Sequence, residues 1–136
     1  MVKTMTKIAE IYCDAGYDNF TKKVTGYGSF SVYYRGQEVK LKRVSLPSAT
    51  TNNEAEYMIL LEVLAYIDRM ERKGKEFDWN IFMDSMLVVR QSKGEWRVKA
   101  NNLKNLNKSA REFLTSHPNV SLEWVGREKI VDILGH

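Results

Sequence analysis

Four acidic residues define the chemistry this chain could perform: Asp14, Glu56, Asp84 and Asp132. Asp14 ends an apolar run that begins at Ile8, and Asp84 ends another that begins at Trp79. Glu56 lies in the stretch Thr50-Thr51-Asn52-Asn53-Glu54-Ala55-Glu56, in step with Ile59, Leu60, Val63, Ile67 and Met70 at helical spacing. It therefore belongs to the apolar stripe of a helix, the face that must pack on a core. A carboxylate is rarely buried unless paired or metal-bound, so the first turn of this helix is expected to meet other charges or a cation. Glu54 points roughly opposite and suits the positive helix N-terminus instead.

If the strands ending at Asp14 and Asp84 are neighbours, and the helix start lies across them, three carboxylates converge where α/β sheets commonly build sites. Carboxylates that close repel one another, and a hard divalent cation such as Mg²⁺ relieves the repulsion. Asp132 is a candidate fourth. Beside this stands a plainer reading, in which Asp84-Ser85 is a turn or a helix cap. The single cysteine, Cys13, lies in an apolar run, and the two histidines are His117, in a Ser-His-Pro-Asn turn, and His136.

The elements that would position these residues alternate in type. Ile8 to Asp14 reads as a buried strand, followed by a polar loop through Asp18, Asn19, Lys22 and Lys23. Gly28 to Tyr34 and Gln37 to Leu46 read as a hairpin around Arg35-Gly36. A long helix follows from Asn53 to Lys73, with Gly74 as its stop, then a strand from Trp79 to Asp84 and a short helix from Met86 to Gln91. Leu103 to Leu114 is an amphipathic helix carrying a stripe of Lys104, Lys108 and Arg111, which as a solvated face needs no partner. Val120 to Trp124 alternates as a last strand, and a terminal helix begins near Lys129. This order implies an α/β sheet of mixed direction with helices packed on it.

The 136 residues, 43% of them hydrophobic, are enough for one compact domain over 1–136 with its own core. No apolar run approaches the roughly 20 residues of a membrane span, and Met1 to Glu10 lacks the hydrophobic stretch of a leader. A cytoplasmic monomer without a membrane partner is expected, and the single cysteine, which excludes an internal disulfide, fits a reducing compartment. The net charge of +4, from 21 basic and 17 acidic residues, is a mild excess compatible with a polyanionic partner. Lys93-Gly94-Glu95-Trp96-Arg97-Val98-Lys99 interleaves an aromatic ring with cations, a mixture that suits a nucleic-acid backbone.

The ordered phrases Ile11-Tyr12-Cys13-Asp14, Thr51-Asn52-Asn53-Glu54-Ala55-Glu56, Phe82-Met83-Asp84-Ser85, Gly94-Glu95-Trp96-Arg97-Val98-Lys99 and Glu123-Trp124-Val125-Gly126-Arg127-Glu128 resemble type 1 ribonuclease H. The resemblance implies a five-stranded mixed sheet of order 3-2-1-4-5 with helices on both faces. It implies an endoribonuclease that cuts the RNA strand of RNA-DNA hybrids with two Mg²⁺ ions, Mn²⁺ being a possible substitute. On this likeness Asp14, Glu56, Asp84 and Asp132 are the catalytic metal ligands. Asn52 and Asn53 would approach the minor groove near the RNA 2′-hydroxyls, the group by which a protein tells RNA from DNA. Thr51 would help form a phosphate pocket on the DNA strand, and Trp96, Arg97 and Lys99 would form a DNA-facing loop.

Three departures from the family accompany the likeness. Met86 stands where many relatives have glutamine, and the first loop makes Asn19 only a minor substrate candidate. The segment from Arg127-Glu128 to Asp132 is two residues shorter than in relatives and has no histidine. Two other readings therefore stay open: a hybrid-binding module that has lost turnover, and a DNA nuclease or resolvase on the same fold.

Overall fold

Ile8–Asp18 forms β1, which is buried on both sides as a central strand must be: Ile11 and Cys13 are fully buried, and Tyr12 is buried on the opposite face. The computed structural model describes residues 7–18 and 25–135. β2 (Thr25–Tyr34) runs antiparallel to β1, and β3 (Gln37–Leu46) antiparallel to β2. Their turn is Arg35-Gly36, with φ of 53° and 77°, the two positive angles by which a tight hairpin matches strand twist. β4 (Asp78–Met83) and β5 (Val120–Trp124) join in parallel on the other side of β1, giving the order β3-β2-β1-β4-β5.

Parallel neighbours need long crossovers, and helices supply them. α1 (Asn52–Arg72) connects β3 to β4; α2 (Met86–Ser92) and α3 (Asn101–Ser116) connect β4 to β5. α4 (Arg127–Leu134) follows β5. Ile59, Leu60, Val63 and Ile67 of α1 are fully buried in one cluster with Ile11, Phe30 and Ile81 of the sheet and Leu103 and Ala110 of α3. Each such side chain contributes about 1.5–3 kcal/mol by leaving water. The opposite face is covered by α4, whose Ile130 and Leu134 pack on Tyr12, with Tyr33 and Phe82 alongside. Among the described residues, no helix is long and apolar enough to cross a membrane.

Two boundaries and one buried face differ from the pattern of the sequence. Tyr17 and Asp18 are strand rather than loop, because Tyr17 pairs with Gly26 and Asp18 with Thr25 in the β1–β2 ladder. Asn19, Lys22 and Lys23 lie outside the described residues. α4 starts at Arg127, two positions before the expected Lys129, because the extended Gly126 (φ −68°, ψ 153°) releases the chain from β5 into a helix at once. On β3 the hydrophobic alternation does not mark a buried face. Val39 and Leu41 are exposed at the sheet edge, while Lys42 pairs with the core residue Phe30. The short α4 packs over Tyr12, Tyr33 and Phe82 and leaves this outer part of its face uncovered.

α1 approaches the sheet most closely at Gly28 of β2. A Cβ there would lie 2.9 Å from Ile59 Cδ1 and 3.1 Å from Ile59 Cβ, and the latter is fixed to the helix backbone. Gly28→Ala is therefore expected to destabilise the fold by about 1–3 kcal/mol through overpacking. Urea unfolding at equilibrium measures it, and an unchanged midpoint would mean that α1 can ride outward freely.

Candidate active site

β1 and β4 are parallel and in register, with Tyr12 opposite Phe82, and their rings stack at 5.0 Å between centroids. Side chains two residues further along each chain share that face. These are Asp14, 5% exposed, and Asp84, 12% exposed. A single nitrogen, Arg127 Nη1, donates to both, 2.8 Å from Asp14 Oδ2 and 2.9 Å from Asp84 Oδ2. The two carboxylates hold the guanidinium in its charged form, pushing its pKa above the ordinary arginine value, with the bond to Asp84 the larger cause. Asp84 is not a helix cap. That role falls to Ser85, whose hydroxyl accepts the Val88 N–H at 3.3 Å, while Trp124 Nε1 donates to the Asp84 carbonyl at 3.1 Å and fixes the strand end.

Glu56 enters from α1. Thr51 is the N-cap, and its side chain accepts from Glu54 N–H while the Glu54 carboxylate accepts from the Thr51 N–H, a reciprocal capping box. Glu54 also accepts from the Thr50 hydroxyl, the Thr50 N–H and, at 3.1 Å, Asn102 of α3. These bonds, that from the Thr50 hydroxyl foremost, lower its pKa and commit it to fixing the helix start. Glu56 is two residues on, turned the other way, and 8% exposed. Its pKa is raised from 4.5 to about 7, chiefly by burial, with Asp14 and Asp84 adding to the rise. The Ser85 hydroxyl and the Arg127 charge oppose it, and Asn52 Nδ2 donates to Glu56 Oε1 at 2.7 Å. Three carboxylates thus feel one another just past the last parallel β1–β4 pair, Tyr12 with Phe82.

Such a set suits a divalent cation in kind, being hard oxygen donors with more negative charge than one arginine balances. The positive charge between Asp14 and Asp84 is supplied by the guanidinium. Among the described residues, no group of three His, Cys, Asp or Glu side chains is placed to hold a metal as it stands. Cys13, fully buried behind the site, has its thiol pKa pushed well up by burial and then by Asp14, so it stays protonated. His117 is structural: it caps α3, bonds Phe113 O at 2.8 Å and stacks on the Phe113 ring.

The other expected site residues fall into two groups. Thr51, Asn52 and Asn53 are exposed at the start of α1, on the rim beside Glu56. Trp96, Arg97 and Lys99 are exposed on the loop between α2 and α3. That loop is tied to α1 by a buried polar chain. Asn107 Nδ2 donates to Tyr57 Oη at 3.0 Å, Tyr57 Oη donates to Gln91 Oε1 at 2.7 Å, and Gln91 Nε2 donates to the Arg97 carbonyl at 3.3 Å. Asp132 is elsewhere. Arg127, Ile130 and Leu134 share the inward face of α4 at i, i+3 and i+7, and Asp132, two residues from Ile130, is exposed on the far side. The charges that act on Glu56 are those of Asp14, Asp84 and Arg127.

Arg127 was legible only as part of a phrase; its spacing with Ile130 and Leu134 is the signal that would have turned it inward. Tyr57, Gln91 and Asn107 gave no signal, since a polar residue on an amphipathic helix reads as surface until its partners are known.

A family model described as RNase H matches residues 6–127. The chain belongs to the RNase H family. The match ends where α4 begins, so Asp132 lies beyond it. Among solved RNase H structures, LC11-RNase H1, isolated from compost by a metagenomic approach, has a TM-score of 0.81 at 26% identity, covering 96% of this chain and 92% of that one. LC11-RNase H1 in complex with RNA/DNA hybrid gives a TM-score of 0.78 at 25% identity, covering 91% and 89%. RNase H1 from Halobacterium salinarum gives 0.73 at 26% identity, covering 90% and 89%. In sequence, this RNase H family chain is 35% identical over 79 residues to the bifunctional protein Rv2228c of Mycobacterium tuberculosis, a stretch that is 58% of this chain and 21% of that protein.

Proposed function

We propose that this chain is a divalent-cation-dependent endoribonuclease that hydrolyses the RNA strand of RNA-DNA hybrids, with Asp14, Glu56 and Asp84 as its cation-binding and catalytic carboxylates. The observation that carries the reading is the bridging of Asp14 and Asp84 by one guanidinium, with Glu56 near enough to feel all three charges, beside the last parallel β1–β4 pair of an RNase H fold. Divalent cations, two Mg²⁺ or in their place Mn²⁺, would lower the pKa of the attacking water and neutralise charge on the leaving 3′-oxygen. Asp14 and Asp84 present their oxygens from the sheet, and Glu56 from α1. Ser85 and Asn52 hold the Glu56 carboxylate by hydrogen bonds, so its orientation is set before substrate arrives.

Recognition would fall to the exposed rim. Asn52 and Asn53 are the candidates to meet the RNA 2′-hydroxyl, with Thr51 beside them on the DNA phosphates. Trp96, Arg97 and Lys99 offer an aromatic face and two cations to the backbone, an attachment that weakens as salt rises. The hybrid bound by LC11-RNase H1 supports this substrate class. Met86, partly buried and 3.3 Å from Arg90 Nε through its sulfur, makes no polar reach toward substrate. A hybrid-binding module is the second reading, favoured by the guanidinium seated between Asp14 and Asp84.

Labelled RNA-DNA hybrid, double-stranded RNA and duplex DNA, each incubated with the protein and Mg²⁺, test the proposal. Cleavage of the hybrid's RNA strand alone is expected. Tight binding without cleavage selects the module, and cleavage of duplex DNA sinks the ribonuclease reading. We assign Asp132 a peripheral part as fourth carboxylate, tuning the site from the exposed face of α4. Asp132→Asn is expected to slow hybrid cleavage by no more than about tenfold, the scale of an outer group. A loss as large as that from Asp84→Asn would place Asp132 among the direct ligands.

A further inference from the structure

Arg127 is the side chain that the expected chemistry leaves unexplained. It reaches from the first turn of α4 across the strand ends, and one of its nitrogens bonds the two carboxylates that a cation would need. The contact is not locked. The Arg127 side chain is 60% exposed, whereas Asp14 and Asp84 are 5% and 12% exposed, so the positive partner stands at the solvent side and the negative partners lie within. Half-open ion pairs of this type are weak, and a long arginine can withdraw into water without moving its helix. Ile130 and Leu134 hold α4 independently of that side chain.

The geometry points to Arg127 as a resident counter-ion of the acidic site: a divalent cation binds Asp14 and Asp84 by displacing the guanidinium, and this side chain therefore sets the cation affinity. Because α4 starts at residue 127, the face it turns toward the site carries Arg127, Ile130 and Leu134 rather than Asp132. Arg127 is thus a positioning residue that holds the two aspartates together when the cation is absent and competes with it when it arrives. The inference rests on the cation-dependent reading given above.

Calorimetric titration of Mn²⁺ into the full chain, without nucleic acid and at fixed ionic strength, tests it on the wild type, Arg127→Ala and Arg127→Lys. Removing the competitor is expected to tighten Mn²⁺ binding by about tenfold, the scale of two weak ion pairs. Arg127→Lys restores a positive charge and is expected to bind Mn²⁺ close to the wild-type affinity, which a purely structural role for the arginine would not produce. Equal or weaker binding by Arg127→Ala overturns the inference, as does binding by Arg127→Lys as tight as that of Arg127→Ala. If the wild type cleaves hybrid while all three proteins bind Mn²⁺ equally, only the counter-ion role fails. If it neither binds Mn²⁺ nor cleaves, the cation-dependent reading fails with it.

Discussion

Asp84→Asn is expected to leave a folded protein that hydrolyses RNA-DNA hybrid at least about 10³-fold more slowly, because the amide keeps the shape of the side chain and loses the charge that draws a cation. The fold should not suffer. The cap of α2 is Ser85 rather than Asp84, and Trp124 bonds the Asp84 backbone carbonyl, which the substitution leaves in place. Glu56→Gln should fail in the same way. Glu54→Gln provides the contrast, since its partners are Thr50, Thr51 and Asn102 at the helix start. It is expected to cost about 1 kcal/mol of stability with turnover almost unchanged. Single-turnover cleavage and thermal melting of the three variants decide the matter. Normal turnover by Asp84→Asn removes the aspartate from the site, and equal losses from both glutamate changes refute the assignment of opposite faces.

The second large effect appears without substrate. Glu56 has a folded pKa of about 7 against an ordinary 4.5, so between those values the folded protein holds a proton that the unfolded chain has released. Stability is then fullest below about pH 4.5 and falls as the pH rises through 7. At about 1.4 kcal/mol per unit, the loss at alkaline pH is on the order of 3 kcal/mol. Glu56→Gln cannot ionise, so the metal-free variant should be more stable than the wild type at pH 8.5 by about 2–3 kcal/mol and nearly equal to it at pH 4.5. Urea unfolding in a chelator at both pH values measures the difference. Parallel stability profiles for the two proteins would mean that the carboxylate is solvated and not held among its neighbours. A substitution that ends catalysis would thus strengthen the empty fold, the expected mark of charge gathered for function.

The sheet and its main helix could be read from the chain because their signals are local. Ile59, Leu60, Val63 and Ile67 recur at helical spacing, and the same period turned Glu56 inward before any partner was known. Asp14 and Asp84 were legible as ends of apolar runs, though their adjacency depends on β1 and β4 pairing across a long stretch of sequence. What stayed hidden depends on non-local contact. The extension of β1 to Asp18 follows from its pairing with β2, and nothing in Gly16-Tyr17-Asp18 alone announces it. The exposure of Val39 and Leu41 follows from how little of one sheet face α4 covers. The bridge from Arg127 to two aspartates requires β5, Gly126 and α4 all to be placed, and the phrase Gly126-Arg127-Glu128 carried a family likeness without a direction.

α4 has eight residues, fewer than a helix needs to persist in water by itself, and Ile130 and Leu134 are its buried anchors. Its backbone amides will therefore exchange with solvent deuterium by small openings, well before those of α1, whose protection follows unfolding of the whole core. The acidic site is built half on each kind of scaffold. Asp14, Glu56 and Asp84 belong to the slow-exchanging part, while the arginine that bridges the aspartates belongs to the fast one. Each transient breach of α4 carries Arg127 off with it, a second route, besides withdrawal of the side chain alone, by which the carboxylates are bared to ions while the sheet that holds them stays shut.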